Sequence, residues 1–441
     1  MEFGKHIGKG LWAFADKALP AIYGLGFVFL VVRFLPQKEF GAYALIQTIF
    51  GVVGAAGTAF ALQPLIKFAA ETEERGPYIV ASLVMQFLLF LFVSVVVLVF
   101  RGPLANLFDP GHQVNLLPLF GYLPLLFAAS YYRNFAVGLL QASYRVQRIF
   151  WIDAVYFMGV LLVVYLARTV GMFQTAADML SINVMTLACS TLLAIILTWR
   201  EMSVGLVPRS EAFAKMWHFG KYTFGGSSIY IVFSQLDVFF VTSFAGIVAV
   251  AMYQAAKVMT RLNDVLAQVL QMFLIPFSSK GFAREDTEKL TVAAEKAICF
   301  STLLFLPVFL AMFFFPEVIL HLLYKGKYDD ATAVVRVLSF LALTVPWNGV
   351  VTSYMVGMGM VRQGLYASIA LLGIALPAYA LLTPAWGPVG TSIGLVGSFF
   401  VITVALVIYL RRFIPINLLN VLKRTEDAWT FARTRFSSPP K

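Results

Sequence analysis

The sequence predicts an all-α integral membrane protein, with twelve transmembrane helices in two six-helix lobes around a central cavity. Three observations predict it. The chain is 60% hydrophobic and 12% charged, with mean hydropathy +0.83; a soluble chain is nearer 45–50% apolar and ~25% charged. In lipid the backbone must satisfy its own hydrogen bonds, and apolar runs of roughly 20 residues then select helices over a barrel. The basic residues, finally, fall mostly on one side of such a bundle, as the positive-inside rule requires.

The spans follow in order. The start, MEFGKHIGKGLWAFADKALP, lacks a small-residue cleavage site behind a short apolar core, so it reads as a basic lead-in to an uncleaved first span at 15–35. Spans two to six are expected at 41–66, 78–100, 116–141, 150–170 and 178–199. Spans seven to twelve are expected at 220–246, 249–277, 297–319, 333–357, 363–383 and 388–411. The domains are then an N-lobe at 1–199, a cytoplasmic linker at 200–219, a C-lobe at 220–411 and a tail at 412–441. An even span number puts both termini on one side. That side would hold 23 of the 33 basic residues, the other side seven, and the remaining three, Arg133, Lys257 and Arg261, lie inside spans. Both termini are therefore expected in the cytoplasm. The net charge of +11 thus reports membrane sidedness and not nucleic-acid binding. Cys189 and Cys299 both sit in apolar runs and suggest neither disulfide nor metal.

The halves echo each other. Sliding 37–70 by 210 residues, against the stretch 246–280, places Tyr43 on Tyr253, with Pro64 and Pro276 near the helix ends. An even number of spans per repeat implies parallel repeats, with a transport site between them.

Span eight contains YQAAKVMTRLNDVLAQVLQ, in which Gln254, Lys257, Arg261, Asp264, Gln268 and Gln271 are spaced 3, 4, 3, 4 and 3. That is one helix face, ~25 Å long at 1.5 Å per residue. A charge at mid-span costs about 2.5–3.5 kcal/mol in lipid, so the stripe is expected to face a bundle interior or a wet cavity. The same offset puts these six positions on Ala44, Gln47, Gly51, Gly54, Thr58 and Ala61 of span two, a face of small and weakly polar groups. Asp237 and Lys257 lie at similar distances from a turn near residue 247, so they could be a satisfied interior ion pair or part of the site. Arg261 has five donors, more than Asp264 can use, and is the first candidate for an anionic substrate, with packing as the alternative. Arg133 (in YYRNF) and Asp153 share a depth about a turn near 143–144, as an N-lobe cavity charge or a structural pair. Asn134 and Asn183 read as interhelical hydrogen bonds, and His6, His112, His218 and His321 as interface residues. The tail mixes Leu, Val, Trp and Phe with Lys and Arg and reads as an amphipathic helix on the anionic inner leaflet, with a disordered SSPPK end.

No phosphate-cradling G-x-x-x-x-G-K-[ST] occurs, nor H-E-x-x-H or G-x-S-x-G. The longest external loop, FRGPLANLFDPGHQVN, offers one aspartate and one histidine. No enzyme activity, metal or cofactor is therefore expected. Transport would draw on a proton or sodium gradient, the membrane potential or the substrate's own gradient.

Several stretches carry a family resemblance. RFLPQKEFGAYALIQTIFGVVGAAG resembles the opening of the polysaccharide-transport family within the multidrug/oligosaccharidyl-lipid/polysaccharide (MOP) flippase superfamily. QLDVFFVTSFAGIVAVAMYQAAK, LYKGKYDDATAVVRVLSF and GPVGTSIGLVGSFF resemble its stretches at spans seven to eight, before span ten and at span twelve. One departure is Met252, where glycine is common before the second tyrosine. The resemblance implies a V-shaped, two-lobed flippase of the bacterial cytoplasmic (inner) membrane. Its substrate would be an undecaprenyl-diphosphate-linked oligosaccharide, such as an O-antigen or exopolysaccharide unit, carried to the outer leaflet by alternating access. Arg261, Lys257 and Arg133 would meet the anionic head group. Asp237, Asp264, Gln254, Gln268, Gln271, Gln47 and Asp153 would support them. Partners would be the lipid-linked oligosaccharide, membrane lipids and polysaccharide polymerase or assembly proteins. The alternatives are a lipid II flippase, a cation-coupled multidrug exporter of the same superfamily and a non-transporting assembly scaffold.

Overall fold

The structure is a computed structural model that describes residues 12, 15–16, 19–20, 22–71, 74–109, 114–143, 145–202, 208–261, 263, 270, 274–275, 277–279, 281–282 and 284–425. Every regular element among them is helical. They run α1 (Ile22–Val32), α2 (Gln37–Ala69), α3 (Gly76–Val99), α4 (Arg101–Phe108), α5 (Tyr122–Ala142), α6 (Val146–Thr169) and α7 (Ala176–Met202). Then come α8 (Ser210–Met259), α9 (Thr287–Phe314), α10 (Pro316–Tyr324), α11 (Thr332–Leu338), α12 (Leu341–Gly357), α13 (Val361–Leu410) and α14 (Leu418–Lys423). Eight helices among the described residues are long and apolar enough to cross a membrane. Large apolar side chains such as Phe92, Leu162, Ile196, Leu381 and Phe400 stand exposed, as the outside of a bundle in lipid requires.

Two of the longest helices are each two helices joined at a glycine. Gly246 in α8 has φ 83° and ψ 176°, and Gly387 in α13 has φ 55° and ψ −135°. Side-chain-bearing residues avoid this half of backbone space, and only glycine turns the chain there without strain. Both breaks fall where the sequence expects a turn between spans. In α2, Pro64 cannot donate to the turn before it, and residues Thr58–Leu62 form a π-helical turn there. Helix α7 starts with a reciprocal cap: Thr175 Oγ1 accepts from Asp178 N at 3.2 Å, and Asp178 Oδ2 accepts from Thr175 N at 2.8 Å. Glu39 Oε2 takes the next amide, Ala176 N, at 2.7 Å.

The chain forms two compact units, Met1–Gln254 with Leu323–Lys327, and Ala255–Leu322 with Tyr328–Lys441. In the first, Ala61, Leu62 and Leu65 of α2 pack with Met85, Phe135, Leu139 and Met216. Ala136 and Leu140 pack with Ile149, Ile152 and Ala194. In the second, Leu290, Ala294 and Ile298 of α9 pack with Val350 and Tyr354 of α12 and with Ile402 and Leu410 of α13.

Three further features bear on the expected linker, span eight and tail. The sequence divides the lobes at 200–219, yet α8 begins at Ser210 and its first part belongs to unit 1. The reason is packing: Met216 is fully buried in the α2–α5 core, and Gly220 lies under the Phe60 carbonyl with no room for a Cβ. Helix α8 stops at Met259, where Thr260 N and Oγ1 both bond the Lys257 carbonyl, and beyond this one-residue break Arg261, Asn263, Leu270, Leu274, Ile275 and Phe277 are again helical. The start of the tail packs into unit 2. Ile414, Ile416 and Val421 are buried in the unit 2 core. Buried Glu295 also holds the tail, accepting from Asn417 N at 3.1 Å and from Arg424 Nη2 at 3.3 Å. Residues 426–441 of the tail lie outside the described residues.

Candidate functional site

Unit 1 carries a half-open cavity of about 370 Å³ among α2, α5, α6 and α7. One wall is the small face of α2: Gly51, Gly54, Ala55 and Thr58. A Cβ built on Gly51 or Gly54 meets nothing within 4 Å, so these glycines hold space open instead of drawing helices together. The opposite walls carry Ser130, Arg133, Asn134 and Gln141 from α5 and Asp153 and Tyr156 from α6.

The YYRNF motif places Arg133 by helical geometry, since consecutive residues point about 100° apart. Tyr131 donates its hydroxyl to the Leu83 carbonyl on α3 at 2.8 Å. Tyr132 pairs with Thr198 Oγ1 on α7 at 2.9 Å. These two ties fix the rotation of α5 and leave Arg133 at the cavity. There its Nη2 meets Asp153 Oδ1 at 2.5 Å, its Nε donates to Ser190 Oγ at 3.1 Å and its Nη1 to Asn134 Oδ1 at 3.4 Å. Its guanidinium also lies 5.1 Å from the Tyr156 ring centre. The network continues: Tyr156 OH donates to Asn183 Oδ1 at 3.1 Å, and Asn183 Nδ2 donates to Tyr43 OH at 3.3 Å. The cavity thus carries polar edges and aromatic faces. Its one ion pair, among the described lining residues, balances positive against negative charge.

The other sequence candidates fall into separate places. Gln47 is half-buried on α2, and its Nε2 is buried with no hydrogen-bond partner. Asp237 is 1% exposed and accepts from Tyr253 OH at 2.6 Å and from Val238 N at 2.8 Å. Gln254 and Lys257 are half-buried and Arg261 is exposed. Asp264, Gln268 and Gln271 lie outside the described residues. The structure therefore brings Arg133 and Asp153 together, as their matched depth predicts. It adds Tyr156, Ser190, Ser130 and Gln141, which sequence reasoning missed. Tyr156 follows Asp153 by three residues, one helical turn, and that spacing was the available signal. Among the described residues no group of three or more His, Cys, Asp or Glu could hold a metal ion.

Residues 30–333 match a family described as polysaccharide biosynthesis protein. The probable low-salt glycan biosynthesis flippase Agl15 of Haloferax volcanii is 19% identical over 413 residues, which cover 90% of this chain and 82% of the relative. Among solved structures, the lipid II flippase MurJ in an inward closed conformation superposes with TM-score 0.76 at 12% identity, covering 99% of this chain and 94% of that one. An inward-facing multidrug resistance MATE family transporter of the MOP superfamily superposes with TM-score 0.73 at 17% identity, covering 90% and 94%. At these identities the structural likenesses speak to fold alone. The chain is thus a multi-pass membrane protein that belongs to the polysaccharide biosynthesis protein family and has the fold of the MOP-superfamily transporters.

Proposed function

We propose that this protein is a flippase that moves an oligosaccharide linked to undecaprenyl diphosphate from the inner to the outer leaflet of a bacterial cytoplasmic membrane. The observation that carries the reading is the unit 1 cavity, polar-edged and kept open by Gly51 and Gly54. Its chemistry suits sugar. Amides and hydroxyls from Asn134, Gln141, Ser130 and Thr58 match sugar hydroxyls, and Tyr156 and Phe50 offer rings to the apolar faces of a pyranose. Family membership and the glycan-flippase relative support the same substrate class. With Arg133 balanced by Asp153, the diphosphate is assigned elsewhere, and exposed Arg261 with Lys257 stays the candidate in unit 2. A drug cation gains little from a cavity whose carboxylate is already paired, which disfavours the multidrug alternative.

Twelve spans with cytoplasmic termini complete the proposal. The eight apolar helices, the glycine breaks in α8 and α13 and the further helices α1 and α5 are compatible with that number. Alternating access driven by an ion gradient or the membrane potential, and work beside a polysaccharide polymerase, belong to the same reading. The test is to fill the cavity. Gly51→Leu with Gly54→Leu should abolish export of the lipid-linked glycan while the purified variant melts within a few degrees of wild type. Undiminished surface glycan from a stably expressed double variant would overturn the reading.

A further inference from the structure

A second polar feature of unit 1 lies outside the cavity. Residues 33–38, Arg168 in the last turn of α6 and Lys325–Lys327 lie in or beside three loops far apart in sequence, and unit 1 gathers them at one corner. Lys327 Nζ donates to the carbonyls of Val32, at 2.8 Å, and of Leu35, and Gln37 Nε2 donates to the Lys327 carbonyl. The Arg168 guanidinium stacks 3.3 Å from the centre of the Phe34 ring, and the Arg33 guanidinium lies 6.0 Å from the same centre. By span parity this is the side that holds only seven of the 33 basic residues, and five of those seven (Arg33, Lys38, Arg168, Lys325 and Lys327) fall in these loops.

No described carboxylate at this corner lies within ion-pair distance of either arginine. Glu39, in the first turn of α2, and Asp178 keep their charge but accept from backbone amides, Glu39 from Ala176 N and Asp178 from Gln174 N and Thr175 N, and neither forms an ion pair with the arginines. Among the described residues neither Arg33 nor Arg168 has an ion pair, and Arg33 Nε is buried with no hydrogen-bond partner. The 21-residue first section of α2 begins at Gln37 behind Pro36, which supplies no side-chain cap, so its first amides are also open. Phe34 is 40% exposed at the same place. A guanidinium stacked on an aromatic face keeps its edge donors for a second partner, and two such edges beside an open helix start match the oxygens of a phosphate.

We infer that Arg33, Arg168 and the start of α2 form a binding site for the phosphate or diphosphate group of a membrane lipid, with Phe34 as its floor. The site is distinct from the cavity and does not depend on the flippase reading. Two lipids carry the chemistry, a bulk anionic phospholipid and a polyprenyl diphosphate. The test uses the full chain in phosphatidylcholine nanodiscs doped with either phosphatidylglycerol or undecaprenyl diphosphate, with retained lipid counted by native mass spectrometry. Arg168→Gln, at an exposed side chain, should weaken retention several-fold. Arg33→Gln with Arg168→Gln should weaken it by about tenfold or more. Arg33→Lys with Arg168→Lys should recover part of the loss through charge alone. Loss confined to undecaprenyl diphosphate identifies the carrier lipid as the ligand, and equal loss of both lipids identifies a general head-group site. Retention of both lipids at wild-type levels by Arg168→Gln and by the double glutamine variant would overturn the proposal. Retention is read without transport, so failure here leaves the cavity reading intact. The cavity-filled variant should still bind.

Discussion

Arg133 has five N–H groups, and hydrogen bonds to Asp153, Ser190 and Asn134 use three of them. The rest are available to a ligand in the cavity it lines. Asp153 is what makes the arginine tolerable between membrane helices, because an unpaired charge there is far more costly than a paired one. Asp153→Asn keeps the shape and removes that charge. It should lower the melting temperature by an amount equivalent to about 2–3 kcal/mol. Adding Arg133→Gln should return much of the loss, a coupling that thermal melts of the four chains measure. The pair was legible in the sequence because both residues sit the same distance from one turn. Ser190 and Tyr156 were not, because hydroxyls cost little inside a helix and leave no anomaly to notice. Lys327 gives a residue-scale pH prediction. Burial depresses its ammonium from the usual lysine value to about 8. Between about pH 8 and 10.5 the folded chain then holds fewer protons at this site than the unfolded chain, so the site's contribution to stability rises with pH across that window. The melting temperature of wild type minus that of Lys327→Gln should therefore grow from pH 8 to pH 10.

At the scale of elements, close approach is the main determinant inside unit 1. A Cβ on Gly41 would fall 2.1 Å from the Ile247 carbonyl oxygen, so the two segments pack backbone to backbone. Gly41→Ala should force them apart and cost about 1–3 kcal/mol, read as a lower melting temperature in detergent. This glycine lies in a stretch whose resemblance marked it, but what it touches was not readable, since a one-dimensional pattern does not say which helix passes beside it. Gly246 was easier: a break between two apolar runs of span length asks for a glycine. The break at Thr260 was hidden for the opposite reason. The polar spacing runs on through Thr260 unbroken, and periodicity alone cannot register a turn in which the threonine's own hydroxyl bonds the carbonyl three residues back.

For the whole molecule, composition and span length were enough to give the class, and the apolar exteriors of both units agree with it. The division into units was less legible. Charge placement and loop length suggested a boundary after span six, whereas side-chain volume at Met216 and Gly220 ties the next helix to the first unit. The packing of the tail's first residues was no easier to read. Its mixture of apolar and basic residues suits a lipid surface, and it suits equally well an acidic partner inside the protein. That partner is Glu295, and its role has a practical consequence. The segment from Asn417 to Arg424 is the counterion of a carboxylate shut away from solvent. Shortening the gene so that translation stops after Pro415 should therefore leave a protein about 3–5 kcal/mol less stable, with poor recovery on purification. Introducing Glu295→Gln into the shortened version should rescue it. An affinity handle fused beyond Lys441 leaves that counterion in place and is the safer design.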